Sequence, residues 1–113
     1  MNIEDRRKHP RTKVGRPLKV NDSDRGEPLG NLVDISPDGF MLLSAEPIEV
    51  NRVFQVSLEL PEQVGAGHAA RFGAESLWRE PSNDPGKCWI GFQIIDISHE
   101  NVEKIHRLIE ECL

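Results

Sequence analysis

Between residues 14 and 95 apolar and polar side chains alternate in short runs broken by turn-forming residues. "VGRPLKV" (14–20) sets Val14, Leu18 and Val20 on one face, with Arg16 interrupting. "GEPLGNLVDI" (26–35) does the same with Leu29, Val33 and Ile35, and "VFQVSLEL" (53–60) with Phe54, Val56, Leu58 and Leu60. "HAARFGAESLW" (68–78) alternates Ala70, Phe72 and Ala74, and "CWIGFQII" (88–95) alternates Ile90, Phe92 and Ile94. A period of two puts successive side chains on opposite faces of a strand. "FMLLS" (40–44) is apolar almost throughout, the pattern of a strand covered on both sides. "SPDG" (36–39), with Pro second and Gly fourth, is a strong turn; "PEQVGAG" (61–67) reads as a hairpin loop and "EPSNDPGK" (80–87) as an exposed one. Short strands with polar turns between them predict a small antiparallel barrel or sandwich. No helix-length pattern separates them, which excludes parallel βαβ units.

The two ends differ from this middle. In "ISHENVEKIHRLIEECL" (97–113) the period changes to 3.6, with Val102, Ile105, Leu108, Ile109 and Cys112 on one stripe. Ser98 is placed to cap the helix, Glu100 suits its positive first turn, and Ile97 and Val102 have hydrophobic-staple spacing. The predicted helix spans about 99–112 and lies against an open end or edge of the β structure. Residues 1–13 show no apolar periodicity and read as a flexible arm, leaving 14–113 as the folded domain. Pro10 keeps His9 out of the helical region, so Arg7 to Arg11 runs extended or turned.

Charge sharpens this division. Residues 1–19 carry 7 basic against 2 acidic side chains, a net of +5, whereas the other 94 residues carry 7 basic and 17 acidic, a net of −10. A general nucleic-acid binder is basic over a whole face; positive charge confined to one end fits a compact anion or an acidic partner better. The 113 residues amount to one domain. No apolar run is long enough to span a membrane and no secretory leader is apparent. Cys88 and Cys112 form no CxxC pair, so reduced thiols in a cytoplasmic protein are expected rather than a disulfide scaffold or zinc site.

Little points to catalysis. His9, His68, His99 and His106 are accompanied by no HExxH, paired cysteines or acidic cluster, and Ser36 lacks a GxSxG elbow. No phosphate-cradling glycine loop is present. The expectation is therefore a protein that is not an enzyme and needs neither cofactor nor metal. The acidic barrel, the lack of any Tyr, and Phe and Trp residues that mostly occupy core-alternation positions argue against single-stranded nucleic acid, which stands as a third option behind a compact anion and an acidic partner. What remains is the arm together with "DISPDG" (34–39). Guanidinium forks from Arg6, Arg7 and Arg11 match phosphate oxygens and the O6/N7 edge of guanine. Asp34 suits the N–H donors of a guanine Watson–Crick edge, Ser36 is a short donor, and Gly39 lets a ligand approach the backbone. These residues suit a ligand that carries phosphate and guanine together.

"RKHPR" (7–11) followed by "DISPDG" (34–39), then strands, "WIGFQIIDIS" and a helix, resembles the PilZ family of bacterial cyclic-di-GMP receptors, with its RxxxR and DxSxxG motifs in order over nearly the whole chain. The resemblance implies a mainly β fold: a six-stranded antiparallel barrel with a flexible N-terminal arm and a C-terminal helix. It implies that Arg7 and Arg11 clamp guanines and phosphates, that Asp34 and Ser36 hold a guanine edge and neighbouring groups, and that Gly39 shapes the turn and gives the ligand room. Arg6, directly before RxxxR, implies an intercalated cyclic-di-GMP dimer as ligand, with Lys8 and Lys13 nearby to balance its charge. A partner protein reading the ordered arm is the implied output, in processes such as motility or biofilm formation. The competing expectation is a ligand-independent interaction barrel whose arm docks on an acidic partner.

Overall fold

The computed structural model describes residues 11–65 and 69–113. Seven strands are formed: β1 (Thr12–Lys13), β2 (Lys19–Asp22), β3 (Glu27–Ile35), β4 (Gly39–Ser44), β5 (Val53–Glu59), β6 (Ala69–Pro81) and β7 (Cys88–Asp96). Two helices complete the chain: a single turn, α1 (Glu62–Gly65), and α2 (His99–Cys112). All pairings are antiparallel, and their order is β3–β2–β5–β6–β7–β4, with β4 pairing back to β3. Six strands thus close a barrel, which leaves none of those strands as an open sheet edge. The seventh, β1, adds two residues to the edge of β3 that β2 has left, Thr12 opposite Ile35 and Lys13 opposite Asp34.

The expected strand over 14–20 is therefore split. Gly15 and Arg16 bend and Pro17 has no N–H to give a ladder, so the chain leaves β3 after Val14 and returns at Lys19. Thr12 and Lys13, at the end of the expected arm, are strand residues. The loop expected over 61–67 contains α1, whose Val64 is buried beneath it.

The inward residues of each strand fill the barrel. Phe40 and Phe92 stack with ring centroids 4.8 Å apart, and Phe72 and Phe54 meet them edge-on. Around them lie Val20, Ile35, Leu42, Val56, Leu58 and Ile90, each almost fully buried. Helix α2 packs on α1 and β6 and seats Ile105 and Leu108 in the same core. Its start follows the sequence: Ser98, extended at φ −74° and ψ 157°, accepts from Asn101 N–H at 3.3 Å.

Three strands break the simple alternation. In β3 the register skips Leu29 against β2 and Val33 against β4. Each skipped residue shifts the inward phase by one position, so Leu29, Leu32 and Ile35 are buried, and Leu32 takes the place expected of Val33. In the same way Leu77 is skipped in β6 and Ile95 in β7, and both are left exposed, at 43% and 47%. β4 alternates after all: Phe40, Leu42 and Ser44 are buried, while Met41 and Leu43 lie half-buried on the outside. It is covered on one side, not two.

Candidate functional site

The "SPDG" turn joins β3 to β4 and is closed from within. Ser36 N–H donates to the Gly39 carbonyl at 2.8 Å, and Ser36 Oγ donates to the same oxygen at 3.4 Å while accepting from Asp38 N–H at 3.2 Å. Ser36 is buried. Its hydroxyl is engaged inside the turn. The turn is also tied to β7, because Ile94 N–H donates to the Asp38 carbonyl at 2.8 Å. Gly39 pairs with Gln93, and a Cβ built there would collide with the Phe92 carbonyl oxygen. Its small size is required by the approach of β4 to β7, a backbone reason that stands apart from any ligand.

Two residues before this turn, Asp34 emerges on the outer face of the barrel. Antiparallel partners share a face, so the register builds a row across the outer surface: Lys13, Asp34, Met41, Gly91 and Trp78. The Trp78 indole lies directly over Gly91, where any Cβ would strike the ring. Trp78 reaches this position because the skip at Leu77 re-aims the end of β6. From the sequence alone Trp78 reads as a packing residue, with contact to a guanine at the barrel rim as the alternative. The signal that places it in the row is the "WIG" glycine on the neighbouring strand, and recognising that requires the register.

The chain enters this row at its N-terminal end. Arg11 precedes β1, and its Nη1 lies 3.5 Å from Asp34 Oδ1, with the side chains only 17% and 16% exposed. Just beyond β1, Val14 N–H donates to the Val33 carbonyl at 2.8 Å. The two segments that the sequence reading joined, 23 positions apart at Arg11 and Asp34, thus meet in space. Arg6 and Arg7 lie outside the described residues. Of the six expected site residues, the structure brings Arg11 and Asp34 together on the outer face and places Ser36 and Gly39 in the turn that fixes Asp34.

The site is an open face. A hollow of about 590 Å³ lies elsewhere, between β5, β6 and the start of α2, and is lined by Asp24 and Asp96 as well as Arg71. That mixture of charges is poorly suited to a dianion. Among the described residues no group of His, Cys, Asp and Glu is arranged to hold a metal, and no helix is long and apolar enough to cross a membrane.

Comparison with known proteins agrees with this architecture. The PilZ domain family matches residues 5–111. Among solved structures, the PilZ domain of YcgR from Escherichia coli with c-di-GMP is similar, with a TM-score of 0.69 at 18% identity, over 92% of this chain and 88% of that one. Escherichia coli YcgR in complex with c-di-GMP gives 0.68 at 21% identity over 92% of this chain, which spans 44% of that longer structure. The Bacillus subtilis inhibitor of motility MotI/DgrA gives 0.65 at 14% identity, over 96% of this chain and 54% of that one. No curated protein matches the sequence.

Proposed function

The chain belongs to the PilZ domain family, and from that premise we propose that it is a receptor for cyclic-di-GMP, held between the basic N-terminal segment and the outer face of the barrel. The observation that carries the reading is the meeting of Arg11 and Asp34 at 3.5 Å, which unites the RxxxR segment with the DxSxxG turn on one surface. Arg7 and Arg11 supply guanidinium forks for the phosphates and guanine edges, and Arg6 supplies a third when two ligand molecules stack. Ser36 and Gly39 act through the turn that holds Asp34 in place. The half-buried Trp78 offers an aromatic surface at the far end of the row, within a face otherwise suited to a flat, anionic ligand.

Ligand charge neutralises the arginines and pins residues 1–10 against the barrel, changing both the shape and the charge of this surface. A partner protein that recognises the altered surface receives the signal. The proposal involves no bond making or breaking, in keeping with a receptor and not an enzyme.

Equilibrium binding of cyclic-di-GMP to Arg7→Ala and Arg11→Ala tests the reading. Each substitution is expected to weaken binding by at least ~1.5 kcal/mol, the low end for a charge-assisted hydrogen bond. Wild-type affinity in both variants would remove the basic segment from the site and favour the ligand-independent interaction barrel.

A further inference from the structure

We infer that the outer face of β5, β6 and β7 is a docking surface for a cationic amphipathic helix of a partner protein. The inference goes beyond the ligand reading. It stands on Val53, Glu75, Leu77 and Ile95, none of which belongs to the row that runs from Lys13 to Trp78.

Among the described residues the large apolar side chains left exposed are Val50, Val53, Leu77 and Ile95, and they gather around one stretch of β6. Val53 and Gln93 flank Glu75 across the ladder, and antiparallel partners share a face. Leu77 and Ile95 are the residues that the register skips on either side of this row. Asn51 N–H donates to the Ser76 carbonyl at 2.6 Å, which brings the neighbouring Val50 to the same border. Single exposed apolar residues need no explanation, whereas a group of them rimmed by polar side chains marks an interaction surface.

The surroundings select the occupant. Along this stretch β6 is bonded to β5 on one side and to β7 on the other, so there is no free edge for an added strand. Val, Leu and Ile make no aromatic groove for a proline-rich segment, and no arginine cluster faces out here for a phosphorylated one. A helix that anchors through side chains at i, i+3, i+4 and i+7 remains. From β5 to β7 is two strand spacings, ~10 Å, and seven residues of helix rise about 10.5 Å.

Charge gives that helix its sign. Glu75 is half-buried amid the apolar side chains, and Asp96 is exposed on the same face, opposite Gly73. Among the described residues the Glu75 carboxylate has no hydrogen bond or ion pair. The nearby arginines are turned to other partners: Arg52 lies over the Phe54 ring at 5.2 Å, and Arg79 Nη1 donates to the Ile48 carbonyl at 3.2 Å. Residues 20–113 carry a net charge of −10, which also draws a cationic partner. A second copy meeting this face across a two-fold axis would bring Glu75 towards its own counterpart, and like charges oppose that contact.

The test is an NMR titration of the isotope-labelled full chain with two synthetic helical peptides. Both carry the same leucine stripe at i, i+3, i+4 and i+7, flanked by lysine in one and by glutamate in the other. The lysine peptide is expected to shift amides in residues 50–55, 73–77 and 93–96, and to bind about tenfold or more tightly than the glutamate peptide. Val53→Ser and Ile95→Ser should each weaken it about threefold or more, through lost apolar burial, and Glu75→Lys should reverse the preference between the peptides. Thermal midpoints and cyclic-di-GMP affinity of these variants should match the wild type, which separates docking from folding and from ligand binding. Absent shifts, shifts centred elsewhere, or equal binding of the two peptides overturn the inference. Concentration-dependent shifts at this face in the free chain assign it to a second copy and overturn it as well. If the chain does not bind cyclic-di-GMP, the receptor reading alone falls, and the peptide titration still decides the docking surface.

Discussion

At Gly39 the missing side chain faces a carbonyl oxygen. Any Cβ there would press on the Phe92 backbone, which is buried and paired and has little room to give. Gly39→Ala is therefore expected to lower stability by about 1–3 kcal/mol, the usual cost of overpacking, seen as a lower midpoint in thermal unfolding followed by circular dichroism. The substitution separates two parts that the sequence reading gave this glycine. The turn's demand for a small residue follows from the structure, whereas room for a ligand remains part of the proposed function. Ser36 divides similarly, its hydroxyl being engaged by Asp38 and Gly39. The link between Arg11 and Asp34 was legible in the sequence, in the order of RxxxR and DxSxxG, and the structure brings the two side chains to 3.5 Å; their part in ligand binding belongs to the proposed function. The position of Trp78 was not legible, since its place above Gly91 depends on a skipped residue in β6, and alternation counted along the chain cannot anticipate a skip.

The same limit operates on whole elements. Five of the expected strands and the C-terminal helix appear close to their expected bounds, because their apolar residues alternate cleanly or recur at helical spacing. The errors cluster where backbone chemistry overrides the pattern: Pro17 divides the first strand, and skips at Leu29 and Val33 exchange Val33 for Leu32 in the core. The loop before β5 shows an element-scale dependence that no periodicity reveals. Asn51 adopts a positive φ of 61°, and the loop is held there by the fully buried Ser76. Ser76 Oγ donates to the Glu49 carbonyl at 2.6 Å and accepts from Arg52 N–H at 3.2 Å, while its carbonyl accepts from Asn51 N–H at 2.6 Å. Ser76→Ala removes the hydroxyl that bonds the Glu49 carbonyl and the Arg52 N–H and is expected to cost about 0.5–1.5 kcal/mol. Amide exchange confined to residues 49–53 should accelerate; a change spread evenly over the barrel would contradict a local anchor.

On the scale of the whole molecule, the governing feature is the contrast between a basic first segment and an acidic barrel. The barrel is closed and its core continuous through α2, so it provides a rigid surface. Ligand-dependent change is assigned to the chain that enters at Arg11. Saturating cyclic-di-GMP is expected to slow amide exchange in residues 4–10, and no slowing there would remove arm ordering from the mechanism. A ligand that binds only the folded state also raises stability by mass action, by about 2.7 kcal/mol at one hundred times the dissociation constant. Thermal midpoints should therefore climb with cyclic-di-GMP concentration and stay unchanged with GMP. The most direct measurement is a calorimetric titration of the purified chain with cyclic-di-GMP, using GTP and GMP as controls. The account predicts selective binding of cyclic-di-GMP, with two molecules per chain if Arg6 joins the site. No binding of cyclic-di-GMP, or equal binding of GTP, would contradict it.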